Sequence, residues 1–187
     1  MEKLENRKWE LLSSRYIVKE PWCTVRGDHV RLPNGMEIPS FYVYEFYNWV
    51  NVIAITKDGD FVMISQYRHG LRETRYELVA GSCDKPDESP LEAAQRELLE
   101  ETGYGNGRWT PFLTMAPNSA CQNNLAFTFL AEDVERIETQ HLEPSEDIRV
   151  HLLSEDEVYE LLVTEEIIQA LMSAPLWKYF ATRRLRH

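Results

Sequence analysis

The chain has 187 residues, and its 20 Lys and Arg against 31 Asp and Glu leave a formal charge of −11. That length suits one domain of ordinary size with room for a small extra module, and it can bury a core without staples. The acidity argues against binding to duplex nucleic acid or to an anionic membrane, both of which need a basic face to displace counterions, and a chain 43% hydrophobic and 27% charged is neither disordered nor fibrous.

In chain order, residues 9–46 read as an antiparallel meander. Its β-prone runs, 9–18, 22–32 and 36–46, are joined by turn chemistry at Gly27-Asp28 and Asn34-Gly35. This sets off an amino-terminal β module, residues 1–48, from a second domain, residues 49–187. Two strands follow at 50–56 and 61–67, joined by the hairpin turn Lys57-Asp58-Gly59-Asp60, and a short run at 76–80 ends at Gly81. Then the period changes. Ser89 can cap a helix, Pro90 is preset for its first position, Glu92 can close a capping box and Gly103 tolerates positive φ at the other end, which predicts a helix over 90–102. Leu91, Ala94 and Leu98 follow helical spacing and are expected to face the core. Strand-like runs follow at 109–115, 125–131 and 147–153. A second capping box, Ser154 with Glu157, opens a helix, and 165–180 reads as helical with an interruption at Pro175.

No apolar run approaches the roughly 20 residues that span a bilayer. The mixed charges of the first eight residues do not read as a secretory signal, so a cytoplasmic protein is expected. Cys23, Cys83 and Cys121 stand far apart and suit reduced packing thiols better than a disulfide framework or thiolate zinc site. The five histidines form no zinc-hydrolase pattern.

The unusual feature lies in the helix at 90–102. Glu97, Glu100 and Glu101 sit at i, i+3 and i+4, within a wedge of roughly 100° at 3.6 residues per turn. Such crowded carboxylates either project into water or gather around a cation, and a hard divalent ion takes oxygen ligands of this kind. Arg96 can pair with Glu92 and Glu100, each four residues away, and orient a carboxylate.

Glu88, then after seven intervening residues Arg96-Glu97-Leu98-Leu99-Glu100-Glu101-Thr102-Gly103-Tyr104, and Gly81 ahead of them resemble the Nudix box. The stretch between Gly81 and Glu88 is one residue longer than the family's usual spacing, which a bulge in the loop of residues 82–87 would accommodate. Gln66-Tyr67-Arg68 and Glu77-Leu78-Val79-Ala80-Gly81 resemble the approach to the box in the ADP-ribose pyrophosphatase-like branch, and Pro117 resembles a downstream proline of that branch. The resemblance implies an α/β (α+β) architecture, a Nudix fold with a mixed β-sheet between α-helices and an amino-terminal antiparallel β module. It implies a homodimer formed through that module. It further implies a hydrolase that cuts the diphosphate of a nucleoside diphosphate linked to another moiety, with ADP-ribose giving AMP and ribose 5-phosphate. The implied metal ligands are Glu97, Glu100, Glu101 and the carbonyl of Ala80, holding Mg²⁺ or Mn²⁺, while Gly81, Glu88, Arg96 and Gly103 are structural members of the box. Arg68 is the implied substrate contact; Arg72 and Arg75 can add positive charge or serve the surface.

The branch implies a glutamate base on a loop after the box. Residues 132–147 hold seven acidic residues against one Arg and otherwise read as a solvated loop. Within it Glu146, in Glu146-Asp147-Ile148-Arg149-Val150, is the first candidate and Glu143 the second. Trp9, Tyr16, Trp22, Phe41, Tyr42 and Tyr44 pack a core or stack a base, Trp9 foremost by resemblance. The arginines at 183, 184 and 186 complement a helix end or bind an anion. Other nucleotides, such as GDP-mannose, NADH or a dinucleoside polyphosphate, share the diphosphate the box would bind. A non-catalytic module that senses a nucleotide sugar is the alternative of another class.

Overall fold

A computed structural model describes residues 3–85 and 87–184 of the chain. By contact density it divides into two compact units. The first holds the described residues up to Phe46 together with Asn118–Asn124, and the second holds Tyr47–Pro117 and Leu125 onward.

The first unit is a three-stranded antiparallel sheet, β1 (Glu10–Glu20), β2 (Cys23–Arg31) and β3 (Glu37–Glu45), in the order β1-β2-β3. The Asn34-Gly35 turn forms as expected, with Gly35 at φ 87 and its N–H donating to Leu32 O at 2.9 Å. The expected turn at Gly27-Asp28 does not. The first hairpin closes instead at Pro21-Trp22, with Glu20 opposite Cys23 and Trp22 at φ 66. Gly27 lies mid-strand between Arg15 and Tyr42, where a β-carbon would stand 3.1 Å from Ile17 Cδ1. Asp28 is buried and accepts from Ser14 Oγ at 2.6 Å and Arg26 Nε at 2.9 Å. Both residue types serve turns in other sequences; here close strand packing and a buried charge network occupy them. Gln122 bridges in parallel to Tyr44, and Asn123 Oδ1 accepts from Phe46 N–H at 3.0 Å, so the segment Asn118–Asn124 extends this unit.

The second unit is built on a mixed sheet. Its strands are β4 (Trp49–Thr56), β5 (Phe61–Arg68), β6 (Glu73–Ser82), β7 (Tyr104–Gly105), β8 (Arg108–Met115), β9 (Ala126–Arg136) and β10 (Arg149–Leu153). The order is β10-β5-β6-β4-β9-β7, with β8 beside β9 and β4 parallel to β9. The turn at residues 57–60 forms, with Gly59 at φ 92, yet β4 and β5 pair only at Ile55 and Phe61 before β6 enters between them. Buried Val52, Val62, Ile64 and Val79 pack with α1 (Pro90–Thr102). Ile53, Phe61, Met63 and Leu78 pack with α2 (Glu155–Val163) and α3 (Ala170–Arg184). Alternate strand residues thus feed opposite cores, and the sheet lies between helical layers.

Both predicted capping boxes form, at Ser89 with Glu92 and at Ser154 with Glu157. The buried face of α1 is Ala93, Ala94, Leu98, Glu101 and Thr102, whereas Leu91 is 37% exposed. The expected core face is therefore rotated. Two adjacent alanines let the helix lie close on the sheet, and that rotation carries a carboxylate inside. The carboxyl-terminal helix begins at Ala170, after Glu165 at φ 61 closes α2, and it runs through Pro175 without the expected interruption. Pro175 has no N–H to offer Leu171 O, one turn earlier; Asn51 Nδ2 donates to that carbonyl at 3.1 Å instead. Arg183 pairs with Glu155 and Tyr179 Oη. Leu185 and Arg186 lie outside the described residues, as does the side chain of Arg184.

Candidate active site

The carboxylates of α1 divide by depth. Glu101 is 3% exposed, Glu97 keeps 12% of its side-chain surface and Glu100 keeps 41%. Burial pushes the Glu101 carboxyl up to about 9, with the neighbouring Glu97 adding to the shift and the Ala80 N–H opposing it. Burial also pushes Glu97 up to about 7, against the pull of Arg96. A buried carboxylate without a full set of partners is costly. Among the described residues, a long 3.4 Å contact from the Ala80 N–H and the field of Arg68 offset that cost for Glu101.

Arg96 organises the outer rim. Its Nε donates to Glu88 Oε1 at 2.8 Å and its Nη2 to Glu88 Oε2 at 3.1 Å, a two-pronged grip that holds Glu88 below the usual carboxylate range. Its Nη1 donates to Glu97 Oε1 at 2.8 Å and Glu100 Oε2 at 3.0 Å, while Nη2 also reaches Ser82 O at 3.2 Å. One guanidinium thereby ties α1 to the end of β6 and to the loop before the helix. The expected partner Glu92 is absent from this set because its carboxylate accepts from Ser89 N–H at the helix start. In the lengthened loop, Asp87 takes φ 62 and Glu88 still meets Arg96.

Gly81 is required by approach rather than by flexibility. A β-carbon there would stand 2.1 Å from Cδ and Oε1 of Glu97, so the carboxyl lies where any side chain would be. Gly103 is required by conformation. It caps α1 at φ 75, and a β-carbon would meet Glu138 O at 2.3 Å.

Of the loop candidates, Glu146 lies near enough to raise the proton affinity of both Glu97 and Glu101. Glu143 is exposed and faces Glu146: its N–H donates to Glu146 Oε2 at 2.8 Å, and the Glu146 N–H donates to Glu143 O at 2.9 Å. The acidic segment does not begin as a loop. Residues 132–136 complete β9, where Glu132 pairs with Arg108 and Glu135 with Lys57, and the loop spans residues 137–148.

Arg68 gives Nε and Nη2 to Glu77, at 2.8 and 2.5 Å, which leaves Nη1 with no hydrogen bond among the described residues. Glu77 is 1% exposed and also accepts from Gln66 Nε2 at 3.2 Å. Arg72 is exposed in the turn between β5 and β6 at φ 60, and Arg75 pairs with Glu73 and Glu166. Trp9 belongs to the other compact unit. There it meets Phe41 edge-on at 5.5 Å and, with Arg7, Leu32, Pro33 and Asn34, lines a cleft of about 190 Å³. Tyr16, Trp22, Tyr42 and Tyr44 are all exposed.

Two participants had little signal in the sequence. Glu77 appears in the sequence as the first residue of the run leading to Gly81, but its grip on Arg68, four residues along β5 from its register partner Ile64, emerges from the pairing of β5 and β6. Gln140 sits in a polar loop, yet its Nε2 donates to Glu101 O at 2.7 Å.

The residues fit a divalent cation by donor chemistry: buried hard oxygens, under-compensated, over a glycine that leaves room for them. Among the described residues no three carboxylate, His or Cys side chains converge at ligand distance, and Arg96 holds oxygens of Glu97 and Glu100.

Comparison with known proteins agrees with this geometry. A family model for the nucleoside diphosphate sugar hydrolase N-terminal domain matches residues 9–44, and one for the NUDIX domain matches residues 48–173. An ADP-ribose pyrophosphatase of Bacillus subtilis is 29% identical over 144 residues, covering 76% of this chain and 77% of the relative. One of Mycobacterium tuberculosis is 30% identical over 138 residues, covering 72% and 66%. A methanol dehydrogenase activator of Bacillus methanolicus is 29% identical over 161 residues, covering 86% and 83%. The crystal structure of an ADP compounds hydrolase shares the fold, with a TM-score of 0.83 at 20% identity and 98% of each chain covered. The NUDIX match takes in most of the sequence, including the whole carboxylate helix, the glycine beneath it and the arginine that braces it, and the chain belongs to the Nudix hydrolase family.

Proposed function

We propose that this protein hydrolyses the diphosphate of a nucleoside diphosphate derivative, with ADP-ribose converted to AMP and ribose 5-phosphate, and that it does so with Mg²⁺ or Mn²⁺. The observation that carries the reading is the pair of carboxyls Glu97, set against Gly81 and bonded by Arg96, and Glu101, buried at the Ala80 N–H, with Glu146 near enough to raise the proton affinity of both. The names of two relatives support ADP-ribose as first substrate.

A diphosphate repels nucleophiles by its own charge, and a divalent cation held by Glu97, Glu100, Glu101 and the Ala80 carbonyl supplies neutralisation of that charge and a more acidic water. The chain's own contributions are distinct. Glu146 accepts the proton of the attacking water, with Glu143 second in line; the water oxygen bonds to phosphorus as the bridging phosphorus–oxygen bond breaks. Arg68 offers Nη1 to a phosphate oxygen, and exposed Arg72 adds positive charge at the turn. Trp9 offers an aromatic face to the base.

The first 48 residues serve as the dimerisation module in this reading and 49–187 as the catalytic domain. Leu11, Tyr16, Ile17 and Val18 of β1 are exposed apolar side chains on a strand at the sheet edge, which supports a homodimer. Among the described residues no helix is long and apolar enough to cross a membrane, and three free thiols support a cytoplasmic setting.

The test is turnover of ADP-ribose, other nucleotide sugars, NADH, dinucleoside polyphosphates and nucleoside triphosphates with added Mg²⁺ or Mn²⁺. Preferred hydrolysis of ADP-ribose is expected. Tight binding with unchanged ligand would establish the sensing alternative, and preference for another compound would reassign the substrate.

A further inference from the structure

The loop of residues 137–148 carries Glu146 from the end of β9 to the start of β10. Its first half is fastened to the end of α1 by backbone bonds. Ile137 and Glu138 N–H donate to Gly103 O at 2.9 and 3.1 Å, and His141 N–H donates to Glu100 O at 2.8 Å. Its second half, the turn of residues 143–146, closes upon itself through the reciprocal bonds of Glu143 and Glu146. A self-closed turn keeps its own shape but does not fix its distance from the carboxylates of α1.

One side chain spans the two halves. Gln140 Nε2 donates to Glu101 O at 2.7 Å and reaches Ile148 O at 3.4 Å. Glu101 O is one of the last-turn carbonyls for which α1 has no backbone donor, so the amide satisfies an orphaned acceptor. Ile148 is 5% exposed in the core, two residues after Glu146. Its side chain anchors the chain there, while the Gln140 contact holds its backbone carbonyl.

We propose that Gln140 is a positioning residue that bridges the last turn of α1 to the far end of the loop and so sets the distance of Glu146 from Glu97 and Glu101. Its catalytic consequence rests on the proposed function, in which Glu146 is the base.

The test compares wild type with Gln140→Leu, which keeps much of the bulk and removes the amide. Amide hydrogen exchange should quicken about tenfold or more at residues 142–147, with the α1 amides unchanged, because local opening is what exchange reports. For ADP-ribose, kcat should fall about 10- to 100-fold with KM within about threefold, as expected when a base is displaced rather than removed. In a Glu146→Gln background the same substitution should change kcat less than about twofold, since a residue acting through Glu146 has nothing left to act on. Should Gln140→Leu fold poorly, Gln140→Glu keeps the length and sets a carboxylate against both carbonyls, and the same changes are expected. Unchanged exchange at 142–147 overturns the bridge, and a full kcat loss persisting in the Glu146→Gln background overturns its action through Glu146. If wild type turns over none of the nucleotides, the enzymatic reading fails, and the exchange result judges the bridge alone.

Discussion

Replacing Glu101 with glutamine removes a charge while keeping the side chain's length and an oxygen for the Ala80 N–H. Because burial holds the carboxyl near 9, the folded, metal-free protein carries Glu101 protonated at pH 7, and glutamine imitates that form. The sign of the pH effect follows. A carboxyl raised from its ordinary 4.5 stabilises the fold most below that value, and the contribution is lost as pH rises from 4.5 through 9. At pH 7 the loss reaches at most about 3 kcal/mol, from 1.36 kcal/mol per pH unit. The metal-free Glu101→Gln variant should therefore melt at or above wild type, with an advantage that grows between pH 5 and 9. Activity should move the other way. A missing ligand charge is expected to cost about 4 kcal/mol, or roughly three decades in kcat. Thermal melts with and without Mg²⁺, alongside ADP-ribose turnover, read both arms. Mg²⁺ should raise the melting temperature of wild type and leave the variant little changed. Near-normal turnover would exclude Glu101 as a ligand, and a metal-free melt lowered by more than about 5 °C would show a role in the fold instead.

Gly81→Ala should displace the Glu97 carboxyl, lowering kcat by about 100-fold with little change in melting; a crystal structure with Glu97 unmoved would contradict this. Gly103→Ala sets a β-carbon at φ 75 against Glu138 O, and urea unfolding should show a loss of at least about 1–2 kcal/mol. Light scattering at micromolar concentration should give twice the monomer mass, and a fully active monomer would refute the homodimer. Mixing Glu101→Gln chains with Trp9→Ala chains should restore activity if each site draws on both; confirmed heterodimers without recovery would show unshared sites.

Local chemistry in the sequence determined the helix at 90–102 and the start of the next one, because a capping serine, a proline at the first position, a glutamate three residues on and a terminal glycine all act within one turn of the backbone they satisfy. The spacing of Glu88, Arg96, Glu97, Glu100 and Glu101 was legible for the same reason: helix geometry converts spacing directly into a shared face. Tertiary structure decided which part of that face is buried. Leu91 was expected inside and Glu101 was one of three equal carboxylates, but packing against β4 and β6 exposes the first and buries the second. Gly27-Asp28 carries turn chemistry that strand pairing overrides, and Pro175 carries a break that a distant asparagine repairs. The partnership of Arg68 with Glu77 and the reach of Gln140 to Glu101 depend on strand register and on where a loop returns. Such contacts join residues whose spacing in the chain bears no period, so only the folded backbone brings their donors and acceptors together.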